Sequence, residues 1–306
     1  MGKQTSDNAH PLRGRLLATL IRMIGTLPLA WLHALGRLVG SLLYRLPNRA
    51  RHVTRTNLQL CLPGMDNKAR EQLCRQSLQQ TASGMLELAW VWRHPDEALA
   101  RIRAVHNDDA LRATLANGQS AIILAPHLGN WEVLNFWLSK NFDLHAMFLP
   151  SGMAALDTLI RNSREHFGST MHPATAKGVV TLVRALKKHD GNSASLSAIL
   201  PDQVPDRRSG RFAPFFGQPA ATGTLPVKLL QQTGARAFMA FASRTKHGEF
   251  EIILREPDAA LYSEDMDAAL AALNRSIEAL IMEAPAQYLW NYQRFRRVPP
   301  GGRKPY

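Results

Sequence analysis

From Ala104 onward, apolar runs of strand length alternate with segments of helical period, and that alternation leaves few folds open. Residues 120–125, SAIILA, are continuously apolar, the pattern of a strand covered on both faces. Comparable runs are expected as strands over 144–149, 194–200, 235–243 and 249–254, with helices over 111–116, 130–140, 156–167, 179–188, 225–232 and 266–283. Strands separated by helices predict an α/β fold: a mostly parallel central sheet flanked by helices. In such sheets ligands bind beyond the carboxyl ends of strands, so residues that follow a strand are the first candidates for chemistry.

Two helical regions precede this alternation. Over 48–103 the apolar residues recur at helical spacing, with Leu58 and Leu60 before a Pro63-Gly64 turn, then Leu73, Leu78, Met85, Leu86 and Leu88. Trp90, Val91 and Trp92 close that stretch as a packing cluster. Residues 16–46 are greasier, yet Arg22, Arg37 and Arg45 interrupt them. The longest stretch free of Lys, Arg, Asp and Glu is the 14 residues 23–36, short of the roughly 17 to 25 that a membrane span needs. The pattern predicts a membrane-associated pair of helices lying in the interface, broken at Pro28 or Gly36. No small-residue cleavage site follows, which argues against a secretory signal. The expected organisation is therefore an apolar, basic anchor over 1–47 and a helical lead-in with an α/β domain over 48–306.

Charge narrows the partners. With 37 Lys+Arg against 24 Asp+Glu, the 306-residue chain carries a formal charge of +13, which points to anionic partners. Arg13, Arg15, Arg45, Arg49, Arg51 and Arg55 flank the apolar run on both sides. That placement suits the headgroups of anionic lipids on the cytoplasmic leaflet. No basic motif interleaved with aromatics appears, so nucleic acid is not expected as a partner. Cys61 and Cys74 are too few for a disulfide framework or a closed zinc site.

Two strand ends carry suggestive chemistry. The first is Pro126-His127-Leu128-Gly129-Asn130-Trp131-Glu132, directly after SAIILA. On one continuous helix His127 and Glu132 would lie about 140° apart, so the histidine must sit in the turn. Asn130 is then a natural N-cap, and Glu132, in the first helical turn, can reach back toward the imidazole. A carboxylate on one ring nitrogen leaves the other free to take a proton. No Gly-x-Ser-x-Gly elbow or nearby cysteine supplies a covalent nucleophile, so the reaction suggested is direct attack by a substrate hydroxyl on an activated acyl group. The plainer alternative is a histidine hydrogen-bonded in a turn beside a capping carboxylate. The second strand end is Asp202-Gln203, followed by Arg207, Arg208 and Arg211 and by Phe212, Phe215 and Phe216. Polar fixing groups beside an apolar wall suit a substrate site, and Asn130, Asp202, Gln203, Arg211, Phe215 and Phe216 are the candidates for it. Here too a capped turn with arginines facing solvent would account for the residues.

Taken in order, the apolar, arginine-rich N-terminal segment, His127 to Glu132 (HLGNWE), Asp202-Gln203, Pro214-Phe215-Phe216-Gly217 with Ala221-Thr222-Gly223-Thr224, Gln287-Tyr288-Leu289-Trp290 and Arg294-Phe295-Arg296 run over nearly the whole chain. This set resembles the bacterial lipid A biosynthesis (late, lauroyl/myristoyl) acyltransferase family. The resemblance implies a membrane-bound enzyme that moves an acyl chain from acyl carrier protein to a hydroxyl of a lipid A precursor. It implies His127 as general base, Glu132 as its partner and a downstream arginine, for which Arg164 matches best and Arg161 is the alternative. A cation there would stabilise the oxyanion of the tetrahedral intermediate, a task that Asn130 or the backbone after Gly129 would also suit. Since the donor thioester supplies the energy, no cofactor is implied, and no metal. One departure stands out: Tyr292-Gln293 occupies the place where many members carry His-Arg. A phospholipid or another glycolipid is therefore the alternative acceptor, and a non-catalytic membrane-anchored protein the alternative from another class.

Overall fold

In the computed structural model, which describes residues 11–187 and 194–306, the buried apolar runs pair into one seven-stranded sheet. Its strands are β1 (Ile102–His106), β2 (Ala121–Leu124), β3 (Leu144–Phe148), β4 (Thr170–Pro173), β5 (Leu196–Ile199), β8 (Arg236–Arg244) and β9 (Phe250–Arg255), in the order β1-β9-β8-β2-β5-β3-β4. Five neighbouring pairs are parallel and only β8–β9 is antiparallel. The sheet is thus mostly parallel, as expected. Every residue of β2 is buried, because helices cover both faces.

The helices are α1 (Pro11–Ile24), α2 (Leu29–Arg45), α3 (Arg49–Cys61), α4 (Asn67–Arg93), α5 (Pro95–Ala100), α6 (Asp109–Ala116), α7 (Trp131–Asn141), α8 (Ala154–Arg164), α9 (Ala176–Lys187), α10 (Leu225–Thr233) and α11 (Met266–Glu283). Side-chain caps start several of them: Asn48, Asp66, Asn130 and Asp265 each accept a backbone N–H of the first turn. The remaining strands, β6 (Gly210–Phe215) and β7 (Gln218–Gly223), make a separate antiparallel hairpin that packs on α11. Its two-residue turn, Phe216-Gly217, has positive φ at both positions, 47° and 74°, the geometry that matches the right-handed twist of paired strands.

Sequence patterning misses β1, β4 and this hairpin. β1 and β4 are short edge strands with mixed burial, and β6 contains Pro214, whose ring signals loop rather than strand.

The N-terminal break falls at Pro28, not at Gly36. Gly36 and Gly40 lie inside α2 and let it press against α4; a Cβ at either would sit 2.6 Å from backbone nitrogen of Ser83 or Gln79. Leu29, Leu32 and His33 face inward with them. The opposite faces are apolar and exposed: Leu12, Leu16, Leu20 and Met23 on α1, and Trp31, Leu35, Leu38 and Leu42 on α2, all at helical spacing. Among the described residues no single helix is long and apolar enough to cross a membrane; α1 and α2 qualify only as a pair, bent by 114°.

Candidate active site

Strand register brings the first two candidates together. β2 and β5 run parallel with Leu124 opposite Ile199. Three residues beyond each strand end, the same register sets His127 opposite Asp202. Asp202 Oδ1 lies 2.7 Å from His127 Nδ1, and Oδ2 accepts the His127 backbone N–H at 2.9 Å. The carboxylate thus grips ring and main chain at once, which fixes the tautomer and directs Nε2 outward. Asp202 is buried. Burial alone would raise its carboxyl, but the His127 ring and the hydrogen bonds from His127 outweigh it and hold it below the usual carboxylate range. On the other side, Gln203 Nε2 is 3.0 Å from His127 Nε2, placed to donate to its lone pair.

The turn that carries His127 is clamped. Gly129 has φ 64°, and a Cβ there would run into the Ala242 carbonyl at the end of β8. Its N–H donates to the Gln287 carbonyl at 3.2 Å, the Asn130 N–H to the Ala242 carbonyl at 2.9 Å, and the Leu289 N–H to the His127 carbonyl at 3.2 Å. Asn130 Oδ1 accepts the N–H groups of Glu132 and Val133 at 3.1 and 3.0 Å, capping α7. A cleft beside the turn is lined by His127, Trp131, Gly84, Met85, Leu88 and Leu289. Asn130 and the backbone after Gly129 are the expected alternative oxyanion donors; these bonds already engage the Gly129 and Asn130 N–H groups and the Asn130 side-chain oxygen.

One correction concerns Glu132, which does not orient His127. Its carboxylate is fully buried and faces α8, where Arg164 meets it with Nε at 2.9 and 3.2 Å and Nη2 at 2.5 Å. The reason is positional. Asp202 arrives in strand register and occupies Nδ1, while Trp131, one residue before Glu132, presents its ring edge to His127 at 5.1 Å between centroids. Burial lowers the Arg164 pKa, but the Glu132 charge more than offsets this and leaves it raised. Trp131 lines both the His127 cleft and a cavity bordered by Glu132, Arg164, Leu134, Leu138 and Met147, and so stands between the two. Both candidate arginines lie over the Phe148 ring, Arg161 at 5.5 Å and Arg164 at 6.0 Å from its centre, and it is Arg164 that pairs with Glu132.

The remaining candidates divide. Phe215 is buried in the core under the Arg294 guanidinium, and Phe216 packs on Phe215 and Trp290; neither is among the residues that line the His127 cleft. Hairpin pairing turns Phe215 inward, a fact the sequence pattern does not carry. Arg211 is exposed, pairs with Asp267 at 3.0 Å, and lines a groove with Arg207, Arg296, Arg297 and Lys304. That groove adjoins the site: Arg296 donates to the Val204 carbonyl at 3.4 Å, and the Val204 N–H donates to the Tyr292 hydroxyl at 2.9 Å, one residue from Gln203. Gln293 accepts from Arg49 at 2.7 Å. The Tyr292-Gln293 pair therefore braces the Asp202-Gln203 loop and the start of α3. Arg294, buried, donates to the Ala221 carbonyl at 2.6 Å and to Thr222 Oγ1 at 3.0 Å, pinning β7.

Both thiols are buried. Burial pushes Cys74 up to about 11 and Cys61 further still, so neither is a ready nucleophile at neutral pH. Among the described residues no group of three or more His, Cys, Asp or Glu is gathered in a form that could hold a metal ion.

Comparison with known proteins bears on this geometry. Residues 5–297 match the profile of a family described as bacterial lipid A biosynthesis acyltransferase. The chain is 24% identical over 281 residues to the lipid A biosynthesis lauroyltransferase of Escherichia coli (strain K12), covering 91% of this chain and 90% of that one. It is 24% identical over 277 residues to the palmitoleoyltransferase of the same organism, covering 90% and 88%. To the myristoyltransferase of that strain it is 25% identical over 279 residues, covering 89% and 82%.

Proposed function

The chain belongs to the bacterial lipid A biosynthesis acyltransferase family, and from that premise we propose that it moves a fatty acyl chain from acyl carrier protein to a hydroxyl of a lipid A precursor, with His127 as general base. The observation that carries this reading is the His127–Asp202 pair at a strand end, with Nε2 left to meet Gln203 and His127 bordering the cleft.

The chemistry follows from the pair. The acceptor hydroxyl displaces Gln203 from Nε2 and gives its proton to that nitrogen as its oxygen attacks the thioester carbonyl. The new C–O bond leaves an oxyanion, to which the freed Gln203 amide donates. The intermediate collapses by breaking the C–S bond, and the proton on Nε2 passes to the departing thiolate. Asp202 stays ionised throughout, holds Nδ1–H and stabilises the imidazolium. Glu132 and Arg164 serve by holding α7 against α8, next to the cleft through Trp131. The groove of Arg207, Arg211, Arg296, Arg297 and Lys304 suits the phosphates of the acceptor or the acidic surface of the carrier.

The exposed apolar faces of α1 and α2, with Arg13, Arg15, Arg22 and Arg37 on the same helices, support an anchor lying in the cytoplasmic interface of the inner membrane. Trp31 and Leu38 are 67% and 57% exposed, so the double variant Trp31→Glu/Leu38→Glu should keep the fold and move the protein from the membrane pellet to the supernatant. Unchanged pelleting of that variant would place membrane binding on another surface.

The function is tested by mass spectrometry of lipid A and of total lipids from cells with and without the protein. A gain of one acyl chain on lipid A is the expected result. A gain on phospholipid alone would transfer the assignment to the alternative acceptor, and no acyl difference in any lipid would end it.

A further inference from the structure

A third buried carboxylate lies behind the catalytic turn. Glu87, on α4, is completely buried, and three side chains from three other segments converge on it. His33 Nε2, on α2, is 2.6 Å from Oε2; Asn130 Nδ2 donates to Oε1 at 2.6 Å; Arg244 Nε, at the end of β8, lies 2.9 and 2.8 Å from the two oxygens. Burial alone would raise this carboxyl, but Arg244 and His33 more than offset it and hold it at about 2. The Arg244 guanidinium on both of its oxygens is the contact that suits an ionised carboxylate inside the protein.

From Glu87, contacts run into the His127 turn by two routes. Through Asn130, the amide whose nitrogen meets Glu87 has its oxygen on the first N–H groups of α7. Through Arg244, the main chain exchanges bonds with Gln287: the Arg244 N–H donates to Gln287 Oε1 at 2.9 Å and Gln287 Nε2 donates to the Arg244 carbonyl at 3.0 Å. The Gln287 carbonyl in turn accepts the Gly129 N–H at 3.2 Å. Arg244 and Asn130 both line the cleft that holds His127.

We infer that Glu87 is a positioning residue for the base: with Arg244 it fixes Asn130 and Gly129, sets the direction of His127 in the cleft, and through His33 ties the catalytic turn to the apolar N-terminal hairpin. An amide and a guanidinium held on one carboxylate have a single good arrangement. A buried apolar cluster of the same volume would pack as well without orienting anything. The role rests on the acyl-transfer reading only for its kinetic readout.

Glu87→Gln alone leaves Arg244 buried without a counter-ion and threatens folding, so the informative variants are Glu87→Gln/Arg244→Gln, which removes both charges, and Asn130→Ser, which keeps the helix cap and loses the reach to Glu87. In acyl-transfer assays each should lower kcat by about 10- to 100-fold, with KM changed by less than about twofold. Combining them should cost little more than either alone, since they break one linkage. The imidazole Nδ1–H resonance of His127, read by NMR without substrate, should shift in both. A kcat within about twofold of wild type in both variants, or a loss carried by KM alone, would overturn the inference, as would an unmoved resonance. Absence of acyl transfer by the wild-type protein would count against the proposed function instead, and the resonance would still decide the positioning role.

Discussion

Asp202→Asn should cut turnover on the order of 10³- to 10⁴-fold while leaving membrane binding intact, because an amide donates where the carboxylate accepts and so favours the wrong imidazole tautomer. Two contacts depend on this side chain, Oδ1 to the ring and Oδ2 to the His127 backbone N–H. The substituted amide, with a single acceptor oxygen, would keep at most one of them as it stands. The loss should fall on kcat, with KM nearly unchanged, since Asp202 is buried and acts through the imidazole. Stability gives a second readout with a definite sign. The folded-state carboxyl is held below its ordinary value of about 3.9. Its contribution is therefore complete above the ordinary range and disappears as pH falls through the lower folded value. The wild type should exceed Asp202→Asn in melting temperature at neutral pH, and the gap should close in acid. A gap that widened in acid would mean the carboxyl is raised instead.

The second large effect is expected at Arg164. Its removal leaves Glu132 fully buried and without its two-pronged partner. Breaking such a pair from one side costs about 3 kcal/mol, roughly 4 to 6 °C of melting temperature in a chain this long. Arg164→Lys should recover little, since an ammonium cannot present Nε and Nη2 together. Arg164→Ala/Glu132→Ala should be more stable than Arg164→Ala, because the stranded charge leaves with its partner. Glu132→Ala should still lower turnover strongly, through α7 and Trp131 rather than through the imidazole. If Arg164→Ala melted with the wild type, the pair would be worth nothing to the fold, and its place beside the cleft would need another explanation.

What the sequence made legible is what local pattern controls. SAIILA announces a buried strand, and the residues after it announce a turn with an N-cap, so His127 could be placed without knowing its neighbours. Asp202 could be placed equally well at its own strand end, yet its partnership with His127 depends on β2 and β5 pairing in register across 75 residues of chain. No local spacing records that pairing. Glu132 was the nearer carboxylate in sequence and so the obvious partner; the helix start turns it toward α8 instead. Phe215 shows the same limit, since a phenylalanine in a polar loop and one in a core hairpin read alike until the strands pair. Pro28 against Gly36 is the converse case: both break helices by propensity, but Gly36 is kept inside α2 because contact with Ser83 requires its missing side chain. Glu87 carried no signal beyond a charged residue in a helical stretch, and only its burial beneath three separate segments identifies it.

The account rests most directly on His127 as the base, and one measurement reaches it: mass spectrometry of a lipid A precursor after incubation with acyl carrier protein bearing its acyl chain and purified protein, wild type against His127→Ala. The account predicts that the wild type adds the mass of one acyl chain and that His127→Ala, equally folded and equally membrane-bound, adds none in the same time. Equal acylation by His127→Ala would contradict it.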